Sequence, residues 1–419
     1  MGGVRVLIVT SGSMGDVAPF TGLGRGLQQA GHQVTVATHE PFRAAITATG
    51  LGFHPIPGDM RAILPDARGQ DGAGSGTDPR ALARLLRIAG PLVSSLGAGI
   101  ADAFAAVRPE AALLSTIVAP LGYQIADALD VPGAGVFLQP VHPTREFGSV
   151  LVGGHSFGPW GNLAVGHLVD LAARPLYAGP IRALRRDLGL PAASMRTLQA
   201  WQQSRYPTFH GFSPSVVPRP ADWPPPLQVT GYWWPAVPTG WTPPPDLTAF
   251  LAAGPRPVFI GFGSMAPGQG RRLSGPVLAA IRRTGVRAVV QAGWSGLDVG
   301  TADDVITVGE VPHEWLFPRV AAVVHHSGAG TAAAGLRAGV PAVPVPVLAD
   351  QPFWARRLTR LGVAPGPLPL PSLTADRLAA ALHAVTTNPH HAARAAALAA
   401  KLSTEDGTRP ILDWLAKLP

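Results

Sequence analysis

Short β-branched runs alternate with helical patterns from the start of the chain, stop at one stretch crowded with proline and tryptophan, and then begin again. The first series contains "VRVLIV" (4–9), a helix through "FTGLGRGLQQA", "QVTVAT" (33–38), a helix through "EPFRAAITATG" and "GFHPIP" (52–57). After the long helical pattern "PRALARLLRIAGPLVSSLGAGIADAFAAV" it continues with strands near "AALLST" (111–116) and "GAGVFLQP" (133–140). The second series runs through "PVFIGFGS" (257–264), "VRAVVQA" (286–292), "DVITVGEV" (304–311), "VAAVVHHSG" (320–328) and "PAVPVPV" (341–347), with helices between. Such alternation predicts an α/β protein in which each series is a doubly wound domain with a parallel sheet. A chain of 419 residues with 47% hydrophobic content has enough material for two such cores.

The interruption, "SPSVVPRPADWPPPLQVTGYWWPAVPTGWTPPPDL" (213–247), is too stiff and too poor in backbone donors to sit inside a sheet, so it is expected to be a semi-rigid connection. The expected division is a first domain over 1–215, a linker over 216–250, a second domain over 251–395 and a C-terminal helix over 396–419 packing back across both. Residues 66–79, "DARGQDGAGSGTDP", lack periodicity and read as a mobile loop. Residues 141–163 are rich in Gly, His and aromatics and follow a strand, where an open α/β sheet places a substrate loop. Helices are expected around 162–203.

Composition removes several functions. Without cysteine there are no disulfides, thiolate nucleophiles or Cys-based zinc or iron sites. The 33 basic residues outnumber the 25 acidic ones and give a formal charge of +8. Nearly all are arginines scattered singly, such as Arg43, Arg61, Arg68, Arg80 and Arg84, which argues against nucleic acid as a partner. The opening "MGGVRVLIVTSGS" enters a strand pattern at once and lacks the apolar core of a signal peptide, and no window approaches a membrane span. The expectation is a soluble cytoplasmic protein without stable membrane insertion. Peripheral association is the most that the proline and tryptophan segment and the tail "GTRPILDWLAKLP" would provide.

The strongest chemical signal is "VAAVVHHSGAGTAAAGLRAG", a buried strand, a loop of small residues and an Ala-rich helix. Small residues at Ser327, Gly328 and Gly330 let the backbone approach a ligand, Thr331 adds a hydroxyl, and His326 adds a ring N–H. The helix N-terminus adds about half a positive charge, so the loop suits a diphosphate. A Gly-rich turn with locally satisfied histidines is the plainer alternative. Ser264 in "GFGSM" would emerge on the same sheet edge. Asp350 and Gln351 in "VLADQPFWARRL" offer an acceptor pair and an amide suited to sugar hydroxyls, unless Asp350 only caps the helix that follows. The first loop, "TSGSMGDVAPF", resembles a phosphate loop but carries Asp16, whose charge would repel an anion. Asp16 is therefore either a helix cap or a reactive carboxylate.

Together, "EVPHEWLFPRVAAVVHHSGAGTAAAGLRAGVPAVPVPVLADQPFWARRL", "SGSMGDVAPF" and "GFGSM" resemble the family 1 nucleotide-sugar glycosyltransferases of GT-B fold. The similarity is nearest to the sterol glucosyltransferase-like branch and to bacterial enzymes that glycosylate antibiotics. It is specific over residues 250–365 and 1–40 and thin between 60 and 215. The resemblance implies two facing Rossmann-like domains with a cleft between them, the donor held by the second and an apolar hydroxylated acceptor by the first. It implies that His326, Ser327, Gly328, Gly330 and Thr331 contact the diphosphate of a UDP- or dTDP-sugar, with Ser264 in support. Asp350 and Gln351 would hold the transferred sugar, and Val311 and His313 lie in the segment whose backbone holds the base. Asp16 would be the general base, and Ser13, Met14, His142, Phe147 and Trp160 would belong to the acceptor side.

Three positions depart from the family pattern. Ser327 replaces a glycine, which is tolerable if only a small side chain is needed there. Glu310 replaces a base-stacking aromatic. Met14 stands where relatives often carry Arg. No second carboxylate stands ready as a covalent nucleophile, so direct displacement with inversion is expected, without metal or cofactor. Ser115 and Thr116 occupy the neighbourhood from which some relatives orient a His base with an acid, so an unassisted Asp base is expected. A sugar-nucleotide epimerase of the same fold and a non-catalytic two-lobed binding protein are the rival functions.

Overall fold

The computed structural model describes residues 2–58, 79–263, 270–293 and 296–418. Most of the stretch 66–79, expected as a mobile loop, lies outside these residues.

Seven parallel strands form the first sheet: β1 (Arg5–Val9), β2 (Gln33–Thr38), β3 (Gly52–Pro55), β4 (Ala111–Leu114), β5 (Gly133–Phe137), β6 (Thr208–His210) and β7 (Leu227–Val229). Their order is β3-β2-β1-β4-β5-β6-β7, so the winding reverses between β1 and β4. A crevice at the carboxyl ends of strands forms at such a reversal. Apolar runs explain the central position of β1, β4 and β5: Val6 to Val9, Ala111 to Leu114 and Ala134 are fully buried. A parallel sheet covered on both faces requires such runs.

Five parallel strands form the second sheet: β8 (Val258–Gly261), β9 (Ala288–Gln291), β10 (Val305–Val308), β11 (Ala322–His325) and β12 (Ala342–Pro344). The order β10-β9-β8-β11-β12 repeats the same winding, with its reversal between β8 and β11.

Two strands differ from expectation. β6 has only three residues, "TFH", too few to show a period, and it lies between the helices expected over 162–203 and the proline-rich stretch. β7 lies within the segment judged unfit for any sheet. It is an edge strand that pairs on one side, where flanking prolines cost no ladder bond. The carbonyl of Pro226 even accepts from the Thr208 N–H at 2.9 Å.

The rest of the proline and tryptophan segment is a packed seam. Val216, Val217, Trp223 and Tyr232 share a hydrophobic cluster with Phe259, Val323 and Trp354 of the second sheet and its helices. Asp222 pins the segment to the loop over 141–157, accepting from Thr144 Oγ1 at 2.6 Å and from the Arg145 N–H at 2.8 Å.

The end of the chain returns to the first sheet. Residue 396 falls inside the helix Pro389–Leu402, and the helix Arg409–Leu415 follows. Ile411 and Leu415 are buried among Val6, Ile8, Phe20 and Leu23, and Trp414 lies 6.2 Å from Phe209, ring to ring. The Trp233 indole donates to the Gly407 carbonyl at 2.8 Å, which ties the seam to this return.

Candidate active site

The loop after β11 holds the densest set of unsatisfied polar groups. Ser327 sits at φ +66°, in the left-handed region, and its N–H donates to His325 Nδ1 at 3.0 Å. That bond fixes the neutral His325 with its proton on Nε2. Among the described residues, nothing pairs with buried His325 Nε2, His326 Nδ1 or Ser327 Oγ. Leaving such atoms dry costs about 1–3 kcal/mol each, a cost that a polar ligand at this loop would remove.

Gly328 caps the helix Ala329–Ala338, whose first-turn N–H groups face outward beside these three residues. A side chain at Gly328 would strike the His326 ring, whereas one at Gly330 would meet nothing within 4 Å. The helix start therefore borders open space at Gly330. Thr331 is half-buried in the same turn. Ser264 lies outside the described residues. Its neighbour Gly263 brings the β8 loop against His326, since a Cβ there would stand 2.7 Å from the ring.

The histidines around this loop are held neutral. Burial lowers His325 to about 3 and His326 to about 4, and the nearby imidazoles push in the same direction. Burial also lowers His313 to about 4, where it stacks on Phe317 at 4.3 Å. Val311 points into the cluster containing Phe259 and Phe317, which leaves its backbone as the group available to a ligand. Glu310 is exposed.

Asp16 answers the first loop in two ways. It occupies the third position of the helix Met14–Gln29, and its Oδ2 accepts from the Ser13 N–H at 2.9 Å and the Ser13 Oγ at 3.0 Å, a helix-capping arrangement. Gly12, at φ +145°, passes so close that any side chain there would collide with this carboxyl. The glycine of the loop thus makes room for the acid. Burial pushes the Asp16 carboxyl up, while bonds from Ser13 and from the Gln139 side chain pull it down. Gln139, just beyond β5, is a partner that the sequence did not suggest, and it is an amide rather than the second acid of a dyad.

The second carboxylate stands near enough to feel the first. Burial pushes Asp350 up to about 6 and the Asp16 charge adds to this, while a bond from Trp354 opposes it. Buried Trp354 makes that bond through Nε1, 2.9 Å from Asp350 Oδ2. Asp350 is also the N-cap of the helix Gln351–Arg360 by position, yet its side chain makes no capping bond. Its carboxylate is thus oriented by an indole. Gln351 is buried, and its Oε1 accepts from the Val347 and Leu348 N–H groups at 2.8 and 3.2 Å.

The expected acceptor residues divide. Ser13 and half-buried Met14 adjoin Asp16. Phe147 packs on Phe353, ring to ring at 5.3 Å, from the substrate loop. His142 instead joins an aromatic stack with Phe137, His210 and Trp223, and burial lowers it to about 4. His210 donates to the Gln228 carbonyl at 2.9 Å, so its other nitrogen accepts from His142 at 3.1 Å. Trp160 is 70% exposed beneath the Arg145 guanidinium, 3.9 Å from its ring centre, and is not enclosed.

Residues 6–88 match the glycosyltransferase family 28 N-terminal domain, and residues 288–416 match the erythromycin biosynthesis protein CIII-like C-terminal domain. A sterol 3-beta-glucosyltransferase of Arabidopsis thaliana is 32% identical over 98% of this chain and 67% of its own length. An O-mycaminosyltylonolide 6-deoxyallosyltransferase of Streptomyces fradiae is 34% identical over 96% of this chain and 95% of its own. The chain is a GT-B glycosyltransferase of the sterol and macrolide type. This glycosyltransferase spans 67% and 64% of the plant sterol enzymes' lengths but 25% to 29% of fungal ones. Its fold matches a Streptomyces sp. SF2575 glycosyltransferase solved with thymidine diphosphate, at a TM-score of 0.65 and 22% identity, over 98% of this chain and 99% of that one.

Within the glycosyltransferase, the Ser327 position demands a left-handed residue in addition to a small one, since Ser327 is fully buried, and glycine meets both demands. Trp354 and His325 were also missed: an indole at the fourth position after an aspartate and a histidine at a strand end both read as core residues.

Proposed function

We propose that the enzyme transfers a hexose or deoxyhexose from a UDP- or dTDP-sugar to a hydroxyl of an apolar small molecule, with inversion at the anomeric carbon. The acceptor class is a natural product such as a polyketide or macrolide, or a sterol-like compound. The observation that carries this reading is the run of unpartnered polar atoms from His325 to Ser327 at a helix N-terminus, with Asp16 at the start of a helix packed against that one.

In this reading the domain over 251–395 holds the donor. The diphosphate lies against His326, Ser327, Gly328, Gly330 and Thr331, with Ser264 in support. Neutral His326 donates a proton-bearing nitrogen, and the helix dipole meets the charge that grows on the leaving diphosphate. This supplies the function a metal would otherwise serve, so no metal or cofactor is proposed. Asp350 accepts from sugar hydroxyls, and Gln351, with its oxygen occupied, offers its amide N–H groups. The backbone at Val311 and the His313 segment receive the base.

The domain over 1–215 holds the acceptor beside Ser13, Met14 and Phe147. As the acceptor oxygen bonds to the anomeric carbon, the bond from that carbon to the diphosphate oxygen breaks, and the acceptor proton passes to Asp16. The carboxylate also complements the positive charge that develops on the sugar. The proposed setting is the cytoplasm, and no helix of the described residues is long and apolar enough to cross a membrane.

Thermal-shift titration with UDP, dTDP and GDP tests the donor assignment, with the first two expected to raise the melting temperature and GDP to have little effect. Asp16→Asn retains an acceptor atom for the Ser13 N–H, so it should fold and bind the nucleotide while turnover drops by about two to four orders of magnitude. Near-normal turnover in that variant would remove the base assignment.

A further inference from the structure

A basic cavity lies away from the donor loop and shares Phe147 with the proposed acceptor side. A cavity of about 160 Å³ opens where the loop from Glu146 to Ser156 meets the helix Gln351–Arg360, and three guanidiniums, Arg356, Arg357 and Arg360, line it. Their spacing of one and then three residues puts all three along one turn of that helix. Arg356 donates to the Gly153 carbonyl and Arg357 to the Val216 carbonyl, which uses one N–H of each, and most donors of the three remain. Among the described residues none of the three forms an ion pair. Glu146 lines the same cavity but spends Oε1 on the Ala221 N–H at 2.6 Å.

Three like charges against one carboxylate, partly shielded from water, repel one another without a counter-ion. Burial and the neighbouring Arg360 charge both disfavour protonation of Arg356 and Arg357, which is the mark of an uncompensated cluster. Guanidinium forks match the oxygens of a phosphoryl group in geometry as well as charge. The volume is about that of five water molecules, enough for a tetrahedral oxyanion with part of an ester attached. The same loop exposes Leu151 and Val152, and Phe157 beyond it is 64% exposed. The cavity wall itself carries the apolar side chains of Val217, Pro218 and Phe353, on which the organic part of an ester can rest.

We propose that this cavity binds the phosphoryl group of a phosphate ester, held by Arg356, Arg357 and Arg360, with the apolar part of the ester against Val217, Pro218 and Phe353. The ester comes either from solution or from the headgroup of a phospholipid surface. Its position matters for the enzyme, because the occupant bridges the substrate loop and the helix whose first turn carries Gln351.

Two probes test this on the full chain, with saturating dTDP present to fill the donor loop: inorganic phosphate, and vesicles of phosphatidylcholine with or without phosphatidic acid. Arg360→Glu is the main variant, since Arg360 is exposed and makes no hydrogen bond among the described residues. Arg356→Gln is the second, and melting curves check that both fold. Phosphate is expected to bind the wild type about tenfold more tightly than Arg360→Glu. Enrichment on phosphatidic acid vesicles that phosphate competes away, and that Arg360→Glu loses, identifies the lipid headgroup as the source. Phosphate binding without vesicle enrichment identifies a soluble ester. The proposal fails if the wild type binds neither probe, or if both variants bind them as the wild type does.

Discussion

Ser327→Gly should make the protein more stable and a poorer binder of its donor. An L-residue in the left-handed region costs about 1–2 kcal/mol, and Ser327 sits at φ +66°. Its buried Oγ lacks a partner among the described residues, which adds about 1–3 kcal/mol in the ligand-free protein. Glycine returns about 0.5–1 kcal/mol of this through the greater freedom of the unfolded chain. The net expectation is a gain of about 1–4 kcal/mol, or about 2–16 °C in the melting temperature of a cooperative unit of this size. With donor bound the sign reverses, because a hydrogen bond from Oγ to a charged oxygen is lost. That loss is worth about 1.5–3 kcal/mol, or about 10- to 100-fold in Kd. Differential scanning fluorimetry without ligand and calorimetric titration with dTDP or UDP read the two effects separately. A variant that melts at or below the wild type refutes the account of the loop. One that melts higher and binds the nucleotide equally well refutes the role of Oγ.

Trp354→Phe removes the indole N–H from Asp350 and should raise its carboxyl above about 6. Donor KM should rise about tenfold with a smaller effect on kcat, and the rise should steepen as pH falls toward 6; an unchanged pH profile would leave Trp354 as core packing alone. Gln139→Leu removes a bond that pulls Asp16 down, so the acid limb of kcat/KM should move to higher pH. A limb that stays in place would mean that Gln139 does not tune the base. His313, His325 and His326, held near 4 or 3, stay neutral in the fold and take up protons on unfolding. Their stabilisation is full above about pH 6.5 and is lost as pH falls toward 4, whereas Asp350 contributes below about pH 4 and ceases to above about 6. Urea midpoints from pH 7 to 4 should fall less in His326→Asn than in the wild type, and an equal fall would contradict the buried neutral state.

Much of the fold was legible because the parallel strands advertise themselves. Val6 to Val9 and Ala111 to Leu114 are buried on both faces and therefore read as unbroken apolar runs. β6 and β7 were not legible, since three residues carry no period and proline argues against a strand unless the strand is known to lie at an edge. The loop proposed to take the diphosphate was legible through its small residues and its place between strand and helix. Asp16 was legible as an anomaly, an acid where a phosphate loop would have none. What supports these groups was hidden: Gln139 reaches Asp16 from a different strand end, and Trp354 looks like any core tryptophan until the helix turns its N–H onto Asp350. Contacts of that kind arise from the crossing of distant elements, on which local sequence carries no mark.

The return of the helix Arg409–Leu415 to the first sheet sets an order on how the chain is made. Val6 and Ile8 leave the ribosome about four hundred residues before the Ile411 and Leu415 that cover them. At about 5–20 residues per second, the nascent first domain waits tens of seconds with one patch of its core open to solvent. The segment that closes this patch is joined to the second domain through the helix Pro389–Leu402, so the first domain completes its core only after the second has been synthesised.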